Sequence, residues 1–78
     1  MKKFKRITVI GVGLIGGSIG LAIKKKGLAD EVVGVGRHPN SIKKALRYKA
    51  IDRGTVDVRE GVSGAEFVIV ATPVGVIV

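Results

Sequence analysis

Cysteine is absent from the 78-residue chain, and so is tryptophan. Without thiols there is no disulfide framework, no thiolate metal site and no cysteine nucleophile, and an intracellular, cytoplasmic home fits best. One histidine, His38, makes no metal site alone. The aromatics are three, Phe4, Tyr48 and Phe67, too few for a platform on which single-stranded nucleic acid stacks. Acidic residues are scarce, six against 14 lysines and arginines, for a net charge of +8. Such a balance suits nucleic acid, an anionic membrane surface or a phosphorylated ligand. The basic residues fall into three groups: Lys2-Lys3-Lys5-Arg6, Lys24-Lys25-Lys26 and Lys43-Lys44-Arg47-Lys49. They read most simply as solvated surfaces and helix ends, so no nucleic-acid partner is expected.

Residues 7–23 carry no charge and follow a basic start. That pattern resembles a signal peptide or a short membrane span. Five glycines (Gly11, Gly13, Gly16, Gly17, Gly20) argue against it, and Lys24-Lys25-Lys26 stand where a small-residue cleavage site would be. No membrane association is expected. A chain this short buries only about 60% of its unfolded surface, and a dinucleotide domain needs two mononucleotide-binding halves. The chain reads as a fragment of something longer.

What is present is a repeated apolar pattern. Residues 6–12 form a nearly continuous apolar run, as in a parallel strand covered on both faces. Leu14–Lys26 has Ile15, Ile19, Ala22 and Ile23 at helical spacing, lysines in its last turn and Gly27 at its exit. Residues 31–36 predict a second strand and 37–41 a loop, with Asn40 or Ser41 capping a helix over 42–49. Its inward face is Ile42, Ala45 and Leu46. Residues 55–58 predict a short edge strand, 61–66 a helical turn or loop, and 67–72 another strong strand ended by Pro73 and Gly75. The order β-α-β-α-(β)-β predicts an α/β fold: part of a Rossmann-type parallel sheet with right-handed crossovers.

The segment Gly11-Val12-Gly13-Leu14-Ile15-Gly16 matches G-x-G-x-x-G, a pattern weak by itself. Here it ends a strand, opens a helix and is followed by a second strand, which is the context the motif requires. Gly11 lets the chain turn, Gly13 lets a diphosphate approach the backbone, and Gly16 lets helix lie close on strand. The N–H groups that open the helix, including those of Leu14 and Ile15, then face the pyrophosphate. Gly17 and Gly20 serve tight packing, and Ser18 reads as a polar helix residue.

Cofactor choice turns on the second strand's end. NAD sites place an Asp or Glu there for the adenosine ribose. This chain has Val35-Gly36-Arg37-His38, with no carboxylate. A 2′-phosphate would meet Arg37, His38 and the start of the next helix, so NADP is preferred over NAD. Ala71, Thr72 and Pro73 end the last strand and, if it lies beside the first, face the glycine loop on the ribose and nicotinamide side.

The run Val9-Ile10-Gly11-Val12-Gly13-Leu14-Ile15-Gly16-Gly17-Ser18-Ile19-Gly20 closely resembles the opening of prephenate and arogenate dehydrogenases, tyrosine-pathway enzymes. Ala50-Ile51-Asp52 and Val70-Ala71-Thr72-Pro73-Val74-Gly75 are similar to later family segments. The resemblance implies an N-terminal NAD(P)-binding domain over residues 1–78 of an enzyme that oxidises prephenate or arogenate with loss of carbon dioxide. It also implies a homodimeric parent, whose catalytic histidine, substrate-binding arginine and helical dimerisation domain match no position here. No catalytic residue is therefore assigned, and the fragment alone is expected to be inactive. Gly36 departs from the acidic residue many members carry, and Lys49 from the glycine that usually ends the second helix. Other readings are the Rossmann domain of a β-hydroxyacid dehydrogenase or imine reductase, or a non-catalytic nucleotide-binding or redox-sensing module.

Overall fold

The computed structural model describes residues 3–11 and 13–71. Among the described residues, four strands and three helices follow in the order β1 (Phe4–Ile10), α1 (Leu14–Lys26), β2 (Ala29–Val35), α2 (Pro39–Arg47), β3 (Arg53–Thr55), α3 (Val58–Val62) and β4 (Phe67–Val70). All pairings are parallel, and the sheet order is β3-β2-β1-β4. The expected α/β parallel sheet is what forms.

The core lies on the face covered by α1 and α2. Ile7, Val9 and Val32 of the sheet pack with Ile23, Ile42, Ala45, Ala50 and Ile51. Side chains alternate across a strand, so Thr8 points to the other face. It is fully buried, and its hydroxyl donates to the Gly61 carbonyl of α3 at 2.7 Å. Among the described residues, no helix is long and apolar enough to cross a membrane.

Several boundaries differ from the sequence reading. β1 begins at Phe4 and β2 at Ala29, earlier than expected, because Phe4 pairs with Ala29 and its ring meets Phe67 edge-on at 5.4 Å. Their polar outer residues are held by ion pairs, Lys3 with Asp30 and Arg6 with Glu31. α2 starts at Pro39, not 42, and its cap is His38 rather than Asn40 or Ser41. Proline's fixed φ suits the first helical position. β3 sits at Arg53–Thr55, where it meets Val33–Val35, rather than at 55–58. The turn expected at 61–66 begins earlier, as α3, capped by the Asp57 carboxylate accepting from the N–H groups of Arg59 and Glu60. β4 ends at Val70. Ala22 and Leu46, expected inside, are exposed.

Ala50-Ile51-Asp52 ties the helical layer to the sheet. Ala50 and Ile51 are buried. Asp52 accepts hydrogen bonds from the Lys24 ammonium and, at 2.7 Å, from the Val32 N–H. Burial pushes the Asp52 carboxyl up, but these two bonds and the Lys24 charge outweigh it and hold it below the ordinary value.

Both long helices end in the same turn. In α1 the Gly27 N–H reaches the Lys24 carbonyl (3.2 Å) and the Leu28 N–H that of Ile23 (3.0 Å). In α2 the Lys49 N–H reaches Leu46 (3.0 Å) and the Ala50 N–H reaches Ala45 (2.9 Å). This bond pair follows a left-handed residue at the helix exit. Gly27 has φ 63° and Lys49 φ 61°, an angle that costs a residue with a Cβ about 1–2 kcal/mol. Lys49→Gly is therefore expected to raise stability by about 0.5–1 kcal/mol after allowing for glycine's greater unfolded freedom. A urea titration reads this as a higher midpoint at unchanged slope; a lower midpoint refutes it.

Candidate functional site

The chain runs β1, β2, β3 outward in one direction, then returns to place β4 on the far side of β1. Strand order thus reverses between β1 and β4, and ligands of open α/β sheets lie at such a point, beyond the strands' carboxyl ends. Three backbone bonds continue the sheet there. The Gly11 N–H donates to the Val35 carbonyl (2.7 Å), the Gly36 N–H to Thr55 (3.1 Å) and the Ala71 N–H to Ile10 (2.8 Å). Gly36, Gly11 and Ala71 therefore follow one another in that order along the carboxyl edge.

The glycine bend leaves this edge at Gly11, whose φ of 93° favours glycine. Gly13 is the N-cap of α1, with extended backbone, no side-chain cap bond and no acid in the first turn. The opening N–H groups of a helix, here those of Leu14, Ile15 and Gly16, have no partner within it, and the positive end of the helix dipole adds to them. A Cβ on Gly16 would lie 1.9 Å from the Gly11 carbonyl oxygen, so helix and bend touch through bare backbone. A Cβ on Gly13 would meet no described atom within 4 Å. One glycine closes the helix onto the strand and the other keeps the approach open. A pyrophosphate docked on main chain requires both.

The packing expected of the two later glycines holds for one. A Cβ on Gly20 would lie 2.3 Å from the Ala50 carbonyl oxygen, whereas one on Gly17 would meet no described atom within 4 Å. Arg37 and His38 are exposed and directly follow Gly36. The His38 carbonyl accepts from the N–H groups of Ser41 (3.1 Å) and Ile42 (3.3 Å), and the first turn of α2 holds no acid. Thr72 and Pro73 lie outside the described residues; Ala71, just before them, is beside Ile10.

Negative charge is gathered at the opposite edge. Asp30, Glu31, Asp52 and Glu66 lie in or just before the amino ends of strands. Each is engaged: Asp30 with Lys3 (3.0 Å), Glu31 with Arg6 (2.5 Å) and Arg53 (3.4 Å), Asp52 with Lys24, and Glu66 with the Lys5 N–H (2.5 Å). Asp57 and Glu60 follow β3, where Asp57 caps α3 and Glu60 lies in its first turn. Around the bend itself, the first turns of α1 and α2 hold no acid, so neither places a carboxylate against an anion there. No group of His, Cys, Asp and Glu among the described residues is arranged to hold a metal.

One feature went unread in the sequence. A cleft of about 390 Å³ separates α1 from α2, with Gly13, Gly17, Ser18 and Leu21 on one side and Ser41, Lys44, Ala45 and Tyr48 on the other. Helical periodicity shows which face turns inward but not how far apart two helices stand.

The sequence profile described as prephenate dehydrogenase, nucleotide-binding domain, matches residues 19–78, starting just past the glycine bend. The prephenate dehydrogenase of Bacillus subtilis (strain 168) is 41% identical over 68 residues, which cover 87% of this chain and 18% of that protein. The prephenate dehydrogenase of Lactococcus lactis subsp. cremoris (strain MG1363) is 35% identical over 72 residues, covering 92% of this chain and 20% of that one. Among solved structures, prephenate dehydrogenase from A. aeolicus, in complex with hydroxyphenyl propionate and NAD+, superposes with a TM-score of 0.83 at 27% identity. That match covers 92% of this chain and 26% of the A. aeolicus chain. The chain thus spans a fifth or less of the curated relatives' length. The fold, the geometry of the bend and the profile match over most of the chain agree, and the chain belongs to the prephenate dehydrogenase family as a nucleotide-binding domain.

Proposed function

We propose that this chain is the dinucleotide platform of an NAD(P)-dependent enzyme that oxidises prephenate or arogenate with loss of carbon dioxide in tyrosine biosynthesis. The observation that carries the reading is the bare-backbone contact of Gly16 with Gly11 beside the open approach at Gly13. Gly11, Gly13 and Gly16, with the N–H groups of Leu14 and Ile15, hold the pyrophosphate. Ala71, Thr72 and Pro73 serve the ribose and nicotinamide side. A bound nicotinamide supplies hydride acceptance; this chain positions it, and the substrate is met by a further domain of a homodimeric, cytoplasmic parent.

NADP is the preferred form. The A. aeolicus relative was solved with NAD+, which supports the cofactor class; the choice of the phosphorylated form rests on this chain's own residues. Gly36 puts no carboxylate at the end of β2 to repel a 2′-phosphate, and Arg37 and His38 stand exposed beside it. Arg37 offers a phosphate a planar fork of donors and can stack on adenine. Dissociation constants for NADP+ and NAD+, measured at fixed ionic strength, should favour NADP+ about tenfold. Arg37→Ala should remove most of that preference, since a hydrogen bond to a charged group is worth about 1.5–3 kcal/mol. Equal affinities that ignore the substitution would end the NADP reading.

A further inference from the structure

We infer that Lys44 and Ser41 form a second anchor for the cofactor's 2′-phosphate, inside the cleft between α1 and α2. The inference rests on the NADP reading above and adds two specificity-determining residues to it. The cleft's volume, about 390 Å³, falls in the range of cavities that hold small ligands. Its lining includes Gly13, so it opens beside the bend assigned to the pyrophosphate. It holds one charged side chain, Lys44, and no carboxylate.

What sets Lys44 apart is its place in the cleft lining. Among the described residues Lys3, Arg6, Lys24 and Arg53 each face an acid, whereas Lys44, like the remaining cations, enters no such pair and keeps its charge for a ligand. Ser41 lies three positions earlier and therefore on the same helix face. Helical side chains lean toward the helix N-terminus, which carries the Lys44 ammonium back toward Ser41 and the end of β2. A mobile ammonium and a hydroxyl on one face suit a phosphate dianion. Gly17 supports the assignment. Packing among the described residues does not require glycine there, although glycine within a helix costs about 1 kcal/mol. Gly17 lines the same cleft as Lys44, and its missing Cβ leaves that space open. Lys43, next in sequence, does not line the cleft and serves as a charge-matched control.

The test is the ratio of the dissociation constants for NAD+ and NADP+ at fixed ionic strength, for the chain and for Lys44→Met, Lys44→Arg, Lys43→Met and Arg37→Ala. The ratio should fall about tenfold in Lys44→Met, return for the most part in Lys44→Arg, and stay put in Lys43→Met. Adenosine 2′,5′-bisphosphate should weaken in step with NADP+ in Lys44→Met, and adenosine 5′-monophosphate should not. If Arg37→Ala lowers the ratio and Lys44→Met does not, the second anchor is wrong while the NADP reading stands. An equal fall in Lys43→Met would assign the effect to the chain's overall positive field and also overturn the anchor. A ratio of one or less in the unaltered chain removes the NADP reading, and the anchor with it.

Discussion

Gly13→Val should weaken dinucleotide binding roughly a hundredfold or more while the domain stays folded. The two effects separate because of where Gly13 sits. Its backbone is extended, with φ −71° and ψ −151°, and a Cβ there meets no described atom within 4 Å. Valine is a poorer N-cap than glycine, at a cost of about 1 kcal/mol or less, so the melting temperature should drop by at most about 8 °C. The isopropyl group would occupy the space through which a diphosphate reaches the N–H groups of α1. Losing two charge-assisted hydrogen bonds costs roughly 3 kcal/mol, about a hundredfold in affinity. Nucleotide titration beside a thermal melt reads both quantities. Unchanged affinity in a folded variant would show that the cofactor does not lie at the bend.

Gly16→Ala should do the reverse and strike stability first. Its methyl group would need to stand 1.9 Å from the Gly11 carbonyl oxygen and 3.4 Å from a Val9 methyl. The obstacle is backbone, so relief requires α1 to back away from β1. Overpacking of this kind costs about 1–3 kcal/mol or more, and each kcal/mol lowers the melting temperature of a domain this size by roughly 4–8 °C. A loss of roughly 10–20 °C is expected. The neighbouring Gly17→Ala is the control, because its methyl group enters open space and removes a helix glycine costing about 1 kcal/mol. If Gly16→Ala melts with the parent, the close contact of helix and bend is not what holds them.

These two positions show what the sequence made legible. The bend was readable because strand, glycines and helix occur in one fixed order, and the distinct demands on Gly13 and Gly16 follow from the chemistry of docking phosphate on backbone. β1, β2 and β4 were readable as apolar runs because both faces of a parallel sheet are covered. β3 was not, because Arg53, Gly54 and Thr55 have little strand character of their own and are extended by pairing with Val33–Val35. The start of α2 at Pro39 was available in principle, as proline favours a first helical turn; Asn40 and Ser41 drew the reading three residues downstream. The turn at Asp57 was missed for a similar reason, since its cap serves a helix of one turn. The cleft beside Lys44 lay beyond sequence reading, for its width depends on how far α1 and α2 stand apart, and α1 meets the segment after α2 through Gly20 against the Ala50 backbone.

The sheet's wholly parallel pairing also bears on how the molecule assembles. No two of its strands are joined by a hairpin. Phe4 finds Ala29, 25 positions away, and Ile7 finds Phe67, 60 positions away. Each closure orders a long loop before its contacts reward it, which places self-assembly in the slow regime of non-local topologies. Of the two inner strands, β1 comes first in the chain and is the last to gain both its neighbours. Until β4 arrives, one side of β1 presents unpaired amides and apolar side chains to any passing extended peptide.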